Sequence, residues 1–547
     1  MVEARPHAAT HRRRGFASSH ARSEDVQDMR TMSHRLLSVA ALTVCAAPAL
    51  AEPPLFQISI PPLVEGGPFT GRLVVYLIAE DAKVDRRLSP IDGPFFDDPQ
   101  PMFSMRLENV EAGEAFMFKD EAYFPVPLAD LPAGRYQAMV VLDRSMTHSA
   151  WNKEEGALVS PRRAFDHDPE TQPAYVQFQL LNHEIQPIPM LEGVELFETS
   201  STLLTQFRGM PVTLRAGVVY PEDYDPDREY AAVYWIPSFG TVPEFGGDHR
   251  DAWLEVHRRT RVPGPPVHPL WRDAFFISLD PQGQFGHHLF ADSDNNGPVG
   301  RALIEELIPA LETKYNLRPE PEARILRGHS SGGWSSIWLA MKYPETFGGA
   351  WSSAPDPVDF RAFQLVNIYE DQNMYFDDDG FERPSYRSGG NVLMTIREEN
   401  RMEYVLGSRF EGAQQWGSWQ AVFGTRARDG MPRPLFNIDT GVIDRQVAES
   451  FKRFDIGHLV RTNPDKYAPI FRDRIRIVCG EDDNFYLEGA VRKLKAALEE
   501  AGAVGGEGYC ELVPGADHGS VIIRANQNIL MDQMLDHLRD HGFPARP

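Results

Sequence analysis

The hydrophobic pattern of the chain changes near residue 190. Before that point, short runs of alternating apolar and polar residues lie between turn-forming residues, as in Gly71–Ile78, Arg135–Leu142 and Ala174–Leu181. A period of two is typical of half-buried β-strands, and no extended helical period interrupts it. Residues 52–190 are therefore predicted to form an immunoglobulin-like β-sandwich domain, in which no group of residues is suited to catalysis.

After residue 190, nearly continuous apolar strands alternate with helices. Tyr230–Ile236, Phe275–Leu279 and Arg474–Cys479 predict buried strands, and apolar residues recur at helical spacing from Leu303 to Leu311. This alternation is typical of a mostly parallel sheet covered by helices on both faces. Residues 191–547 are predicted to form one α/β domain, with an aromatic and acidic insertion at about residues 360–470.

The first 51 residues predict an export signal that does not belong to the fold. Arg35 precedes an apolar run over residues 36–47, and residues 49–51 (Ala-Leu-Ala) supply a small-x-small cleavage site. About 12 apolar residues are too few to cross a hydrocarbon core of ~30 Å, so we expect no membrane span after cleavage. The mature protein is predicted to be periplasmic or extracellular. Met32 is an alternative start that would omit the polar residues before it.

The amino-acid composition argues against several classes of function. Of the 547 residues, 78 are acidic and 55 are basic, and the net charge of −23 disfavours a nucleic-acid partner. Three cysteines exclude a disulfide scaffold and an all-cysteine zinc site. In an oxidising compartment Cys479 and Cys510 either pair or pack as small buried side chains. Nothing in the sequence indicates the oligomeric state.

The strongest chemical signal is the segment 328–332, which has the sequence Gly-His-Ser-Ser-Gly. It follows a predicted strand and begins a predicted helix, the setting of a nucleophile elbow in the α/β-hydrolase fold. The glycines allow the close backbone approach that exposes a serine at such a turn. Ser330 has a glycine two residues before and two residues after it, so it is preferred to Ser331 as the nucleophile.

A nucleophilic serine needs a base, and the base needs an acid that orients it. In the fold indicated by the elbow these follow in the order serine, acid, histidine. His518 lies in a glycine-containing loop after the last predicted strand and is the expected base. Asp483, after an earlier strand, is the first choice for the acid and Asp482 the second. Asp517 is expected to face solvent.

Other polar or aromatic clusters have simpler interpretations. Asp292–Gly297 matches the first half of a calcium-binding loop, but Leu303 occupies the position of the required glutamate. A turn that caps the next helix is the preferred interpretation. The acidic run at 377–379 is expected to be a solvated loop. One histidine pair and two tryptophans are either core residues or the lining of a substrate pocket: His287, His288, Trp416 and Trp419.

Residues 205–540 resemble an esterase family of the α/β-hydrolase fold that includes enterochelin esterases, S-formylglutathione hydrolases, mycolyltransferase antigens and several feruloyl esterases. The resemblance rests on the elbow and on five other stretches, 218–224, 234–241, 303–309, 480–485 and 515–518. It implies that the acid lies three residues after Gly480, which selects Asp483. It also implies that the oxyanion is held by the N–H of Ser331 and by an N–H of the loop 238–240. Because the usual His-Gly is missing from that loop, Phe239 and Gly240 both remain candidates.

The resemblance implies a secreted serine esterase that forms an acyl-enzyme and needs no metal or organic cofactor. The expected partner is a small-molecule or polysaccharide-linked ester. Two alternatives remain, a catalytically silent binding protein on the same scaffold and a serine peptidase of the same fold.

Overall fold

The computed structural model describes residues 53–145, 151–152, 155–170, 173–184, 193–222, 224–239, 268–407, 410–412, 414–524 and 527–543. The predicted export signal and Gly240 lie outside the described residues. Within these ranges, no helix combines the length and the apolar character needed to cross a membrane.

The amino-terminal strands form two sheets that share one apolar core. One sheet has the order β4-β1-β9; the other has the order β10-β7-β6-β2-β3-β5, with β8 also paired to β6. Alternate residues of both sheets, such as Phe56, Leu73 and Phe178, pack against one another in the core. The bounds are β1 Leu55–Ser59, β2 Phe69–Ala79, β3 Met102–Val110, β4 Ala115–Met117, β5 Ala122–Phe124, β6 Gly134–Asp143, β7 Leu158–Val159, β8 Arg163–His167, β9 Tyr175–Gln179 and β10 Leu181–Asn182.

The rest of the described chain is organised around an eight-stranded sheet of order β11-β12-β14-β13-β17-β18-β21-β22. Its first two strands are antiparallel to their neighbours, and the other six are parallel. The bounds are β11 Val194–Ser200, β12 Thr213–Val219, β13 Ala231–Ile236, β14 Ala274–Leu279, β17 Arg324–His329, β18 Gly349–Ser353, β21 Ile475–Gly480 and β22 Tyr509–Val513. Two short hairpins complete the strands, β15 Gln282–Gly283 with β16 Gly286–His287, and β19 Pro384–Ser388 with β20 Asn391–Thr395.

Helices follow most of the parallel strands. The predicted helix from Leu303 is longer than the apolar pattern indicated, because α3, a π-helical turn at Leu303–Leu307 and α4 run without a break. The bounds are α1 Thr202–Arg208, α2 Leu270–Asp273, α3 Val299–Ala302, α4 Ile308–Tyr315, α5 Ser331–Lys342, α6 Ile396–Leu406, α7 Gln415–Phe423, α8 Arg445–Phe451, α9 Ile456–Thr462, α10 Pro464–Arg474, α11 Glu488–Glu500, α12 Ser520–Arg524 and α13 Gln527–Asp540.

Helix α5 lies at the centre of the larger core. Every residue from Ser331 to Met341 is buried, because one side packs on the sheet and the other meets helices of the later chain. The ring of Trp334 contacts Phe423 of α7, and that of Trp338 contacts Phe454. A helix buried all round has no polar face, so its position at the elbow is held by packing on both sides.

The segment between β18 and β21 carries the β19–β20 hairpin and helices α6 to α10. This segment packs against the outer face of the larger amino-terminal sheet, where Tyr76 and Phe124 lie. The contacts are made by Met394, Met402 and Val405. The segment therefore contacts both the amino-terminal sheets and, through α7, the helix that follows the elbow.

Candidate active site

Ser330 occupies a strained backbone conformation at the turn from β17 to α5. Its φ is 56° and its ψ is −122°, a region that non-glycine residues rarely adopt and that costs about 1–3 kcal/mol. Three hydrogen bonds hold it there: its N–H donates to Ser353 O at 3.0 Å, and its carbonyl accepts from Trp334 N at 3.0 Å and Asp356 N at 3.2 Å. Hydrogen bonds with α5, with β18 and with the residue Asp356 after β18 thus compensate for the strain.

The two glycines of the elbow are required by close backbone approach. A Cβ atom on Gly328 would lie 1.9 Å from the carbonyl oxygen of Gly332. A Cβ atom on Gly332 would lie 2.0 Å from the carbonyl oxygen of Ile236, because the ends of β13 and β17 are paired side by side. Neither position leaves room for a side chain, as the sequence pattern predicts.

Asp483 and His518 form a hydrogen-bonded pair at the same edge of the sheet. His518 Nδ1 lies 2.8 Å from Asp483 Oδ2, and the carboxylate is fully buried. The other carboxylate oxygen accepts from Phe485 N at 2.9 Å, which fixes its orientation. Asp482 and Asp517 are both exposed. Of the three acids weighed from the sequence, Asp483 is the one that contacts the histidine.

Electrostatics favour the charged form of His518. Burial alone lowers the pKa of an imidazole, but the carboxylates of Asp483, Asp356 and Asp517 outweigh it and raise the pKa of His518 above its ordinary value. The ring of His329 lies 4.6 Å from that of His518. Burial, followed by the charge of His518, places the pKa of His329 well below its usual range. A proton at this pair of rings is therefore held on His518.

The hydroxyl of Ser330 points to a residue that the sequence did not indicate. Its Oγ donates to Asp356 Oδ1 at 3.4 Å, and within the described residues it has no hydrogen bond to His518. Asp356 follows β18, a short strand with few large apolar residues that the pattern did not reveal. The sequence signal that could have revealed Asp356 is an acidic residue shortly after the parallel strand that pairs with β17.

The loop after β13 approaches the elbow from the other side. Ser238 Oγ donates to the carbonyl oxygen of His329 at 3.0 Å, and His287 Nε2 lies 3.0 Å from the carbonyl oxygen of Pro237. His287 is buried, and burial lowers its pKa to about 4, so it is a neutral donor to this loop. Phe239 is half-buried and ends the described part of the loop.

The remaining candidate residues have structural partners. Asp292 Oδ1 accepts from Gly300 N at 2.8 Å and thereby caps the following helix, as the preferred interpretation of the loop 292–297 predicts. His288 is buried, and its Nδ1 accepts from Phe290 N. Trp416 and Trp419 are core residues that donate to the carboxylates of Glu399 and Asp356. In the described residues no group of three or more His, Cys, Asp or Glu side chains is arranged to hold a metal ion. Cys479 and Cys510 are buried free thiols.

The sheet and its elbow define a hydrolase of the α/β-hydrolase fold. Residues 299–497 match the family model described as "Putative esterase". This match includes the elbow and supports the prediction of a serine ester hydrolase.

Several solved structures are similar to this chain at low sequence identity. A ferulic acid esterase has 12% identity and a TM-score of 0.36, over 63% of this chain and 98% of its own. The fluorophosphonate-binding serine hydrolase F of Staphylococcus aureus has 13% identity and a TM-score of 0.34, over 63% and 98%. An S-formylglutathione hydrolase from Agrobacterium tumefaciens has 15% identity and a TM-score of 0.33, over 65% and 98%. No curated protein sequence matches the chain.

Proposed function

We propose that Ser330, His518 and Asp483 form the catalytic triad of an exported esterase. The observation that carries this proposal is the 2.8 Å hydrogen bond between His518 and the buried Asp483, at the sheet edge that also carries the elbow. The contact between the rings of His329 and His518 supports it further, since His329 directly precedes the serine. For the reaction we propose that the Ser330 side chain rotates away from Asp356, so that its hydroxyl donates to the imidazole.

The reaction is acyl transfer in two steps. Ser330 Oγ attacks the ester carbonyl carbon while its proton passes to His518, and Asp483 stabilises the imidazolium that forms. The C–O bond to the alcohol then breaks, and the alcohol leaves with that proton. A water molecule, deprotonated by His518, attacks the acyl-enzyme and releases the acid and the free serine. All of these steps use side chains of the chain itself.

For the oxyanion we propose the N–H of Ser331 together with an N–H of Phe239 or Gly240. Ser331 is the first residue of α5, and the first N–H groups of a helix have no intrahelical acceptor. The hydrogen bond from Ser238 supports this role, because it ties the loop after β13 to the elbow, and His287 of β16 holds the same loop through Pro237. Each such donor contributes roughly 10²–10³ in rate.

Labelling with a fluorophosphonate tests the nucleophile directly. The wild-type enzyme is expected to form a covalent adduct on Ser330, and Ser330→Ala is expected to lose both the adduct and ester hydrolysis. Ser336→Ala is the matched control, since this buried serine lies on the same helix and donates only to Gly333 O. Unchanged labelling of Ser330→Ala would show that another residue is the nucleophile.

We also propose that the amino-terminal sheets form a β-sandwich domain and that the chain is exported after cleavage at Ala51. Cleavage removes more basic than acidic residues, so the mature enzyme is more acidic than the full chain. Small or polysaccharide-linked neutral esters then suit it better than polyanions. Expression with the complete amino terminus in a bacterial host should yield a periplasmic protein that begins at Glu52; retention of the first 51 residues in the recovered protein would refute cleavage.

A further inference from the structure

Asp356 is a second buried carboxylate beside the proposed nucleophile. It is 1% exposed and follows β18, the strand next to β17 in the sheet. Its Oδ1 accepts from Ser330 Oγ at 3.4 Å, and its Oδ2 accepts from Ser331 Oγ at 2.6 Å. Its backbone N–H also donates to the carbonyl oxygen of Ser330. One residue thus holds both serines of the elbow.

Helix α7 supplies the other partners of Asp356. Trp419 Nε1 donates to Oδ2 at 2.6 Å and Gln415 Nε2 donates to it at 3.0 Å. Gln415 also donates to Ser331 Oγ at 3.2 Å. An indole and an amide N–H only donate, so these contacts require that Oδ2 carries no proton. They are neutral, so no cation within this cluster is paired with the carboxylate, and burial raises the pKa of Asp356 above its ordinary value, while its hydrogen bonds and the charge of His518 oppose that shift.

The position of α7 is set by the preceding helix. Glu403 of α6 accepts from the N–H groups of Trp416 at 2.8 Å and Gly417 at 3.0 Å, in the first turn of α7. Helix α6 in turn packs on the amino-terminal sheet through Met402 and Val405. The cluster around Asp356 is therefore supported by two layers of packing behind it.

Several titratable groups face His518 from the elements around it. Asp483 and Asp517 lie on the loops after β21 and β22, Asp356 follows β18, and His329 lies at the end of β17. Near Asp483, Arg387 of β19 is paired with Glu488 of α11 at 2.9 Å. Asp483 contacts the imidazole directly, and Asp517 is exposed to solvent. Asp356 is thus the buried negative charge on the nucleophile side of the histidine.

We propose that Asp356 is a positioning residue of the active site that holds Ser330 and Ser331 in the elbow and, together with Asp483, stabilises positive charge on His518. The inference rests on the proposed triad. In the resting enzyme the Ser330 hydroxyl donates to Asp356. When this hydroxyl turns to His518 and transfers its proton, the imidazolium forms between two carboxylates. The Ser331 hydroxyl stays bonded to Asp356 and keeps the oxyanion N–H in place.

The pH dependence of Asp356→Asn separates this role from a purely structural one. The base must be neutral, so kcat/KM falls on the acidic side as His518 becomes protonated. Removal of a buried negative charge lowers the pKa of His518, so the acid limb should move to lower pH by several tenths to about one unit. We expect kcat to fall about tenfold because the elbow is held less well.

Asp517→Asn provides the matched control, since it removes the same charge from an exposed position. Its shift of the acid limb should be smaller and should disappear in 1 M salt, where the screening length is about 3 Å. The shift of Asp356→Asn should persist, because buried charges are screened much less. An Asp356→Asn enzyme that loses activity with an unmoved acid limb would overturn the electrostatic part of the proposal.

Ser331→Ala tests the positioning part and guards against an Asp356 variant that does not fold. It keeps the backbone N–H and the carboxylate but loses the 2.6 Å contact. We expect a lower kcat with an acid limb at the wild-type pH; a wild-type kcat would overturn the positioning role. Failure of the triad itself is recognised separately, because Ser330→Ala would then keep its activity.

Discussion

Many strands of the amino-terminal sheets alternate buried and exposed residues, whereas the central strands of the eight-stranded sheet are buried along their length, and the proposed active site lies on the second. In the amino-terminal sheets nearly all strand pairs are antiparallel, so the loops leave both edges. In the larger sheet six parallel strands end at one edge. The ends of four of these, β17, β18, β21 and β22, are followed by Ser330, Asp356, Asp483 and His518. Strand direction, rather than strand composition, gathers distant residues into a site.

The amino-terminal region nevertheless reaches the edge of this site. The ring of Phe96 lies 5.6 Å from Tyr386 and 6.4 Å from Phe485, and Phe485 packs edge-on against His518 at 4.9 Å. Tyr386 donates to Asp97 at 3.0 Å. A chain of aromatic contacts therefore joins the amino-terminal region to the proposed base, so the two regions differ in chemistry without being separate in space.

The largest effect is expected from Asp483→Asn. An amide in place of the carboxylate no longer stabilises the imidazolium and favours the wrong tautomer, so kcat/KM should fall about 10⁴-fold with little change in stability. Steady-state hydrolysis of an aryl ester measures it. Asp482→Asn is the control, since this neighbouring acid is exposed, and it should retain nearly full activity. Similar losses in both variants would contradict the role of Asp483.

Gly332→Ala tests whether the paired ends of β13 and β17 leave no room for a side chain at Gly332. The added Cβ would meet the carbonyl oxygen of Ile236 at 2.0 Å, so we expect a loss of about 4 kcal/mol or more in the free energy of unfolding. Gly489→Ala on α11 is the matched control, because its Cβ would find its nearest neighbour at 3.6 Å. Chemical denaturation should show the control within about 1 kcal/mol of wild type. Equal stabilities would contradict the close approach.

Phe96→Ala tests the contribution of the amino-terminal region to substrate binding. Loss of one aromatic contact is expected to raise KM for esters with aromatic acyl groups about threefold to tenfold and to leave acetyl esters unchanged. Tyr175→Ala is the control, because Tyr175 is an exposed aromatic residue of β9 in the three-stranded amino-terminal sheet. If both variants keep the wild-type KM for every ester, Phe96 does not contribute to the substrate-binding site.

The smallest effect is expected from the ion pair between the two regions. Arg106 and Glu411 lie 2.8 Å apart, with side chains 40% and 41% exposed. Exposed pairs contribute about 1 kcal/mol or less, so Arg106→Ala should lower the thermal midpoint slightly and leave kcat/KM unchanged. Added salt should reduce the difference further. A large loss of activity would mean that this pair, rather than apolar packing, holds the two regions together.

The sequence was most informative where a local pattern and its function coincide. The elbow combines a strand, a Gly-x-Ser-x-Gly turn and a helix within about 20 residues, so Ser330 and both glycines were recognised from the spacing alone. Asp483 and His518 were predicted from their positions after apolar strands together with the resemblance, and the structure brings the two side chains into contact. The three strands predicted for the larger sheet lie within one residue of their observed ends.

Asp356 was missed because the signal for its strand is weak. Gly349–Ser353 has the sequence Gly-Ala-Trp-Ser-Ser, and its burial comes from neighbouring strands and helices rather than from its own side chains. The role of Trp419 was equally hidden, since a tryptophan in the segment between β18 and β21 is compatible with core packing or with a pocket. Only its hydrogen bond to Asp356 distinguishes the two.

The sequence by itself determined the class of fold, the strained serine turn and the order of serine, acid and histidine, because these depend on short-range periodicity and on turn chemistry. The tertiary structure alone showed that a second carboxylate, Asp356, contacts both serines of the elbow and that Phe96 approaches the site. These depend on contacts between residues as many as 389 positions apart in the chain, from Phe96 to Phe485. Such contacts are created by strand order and packing, which leave no local pattern in the sequence.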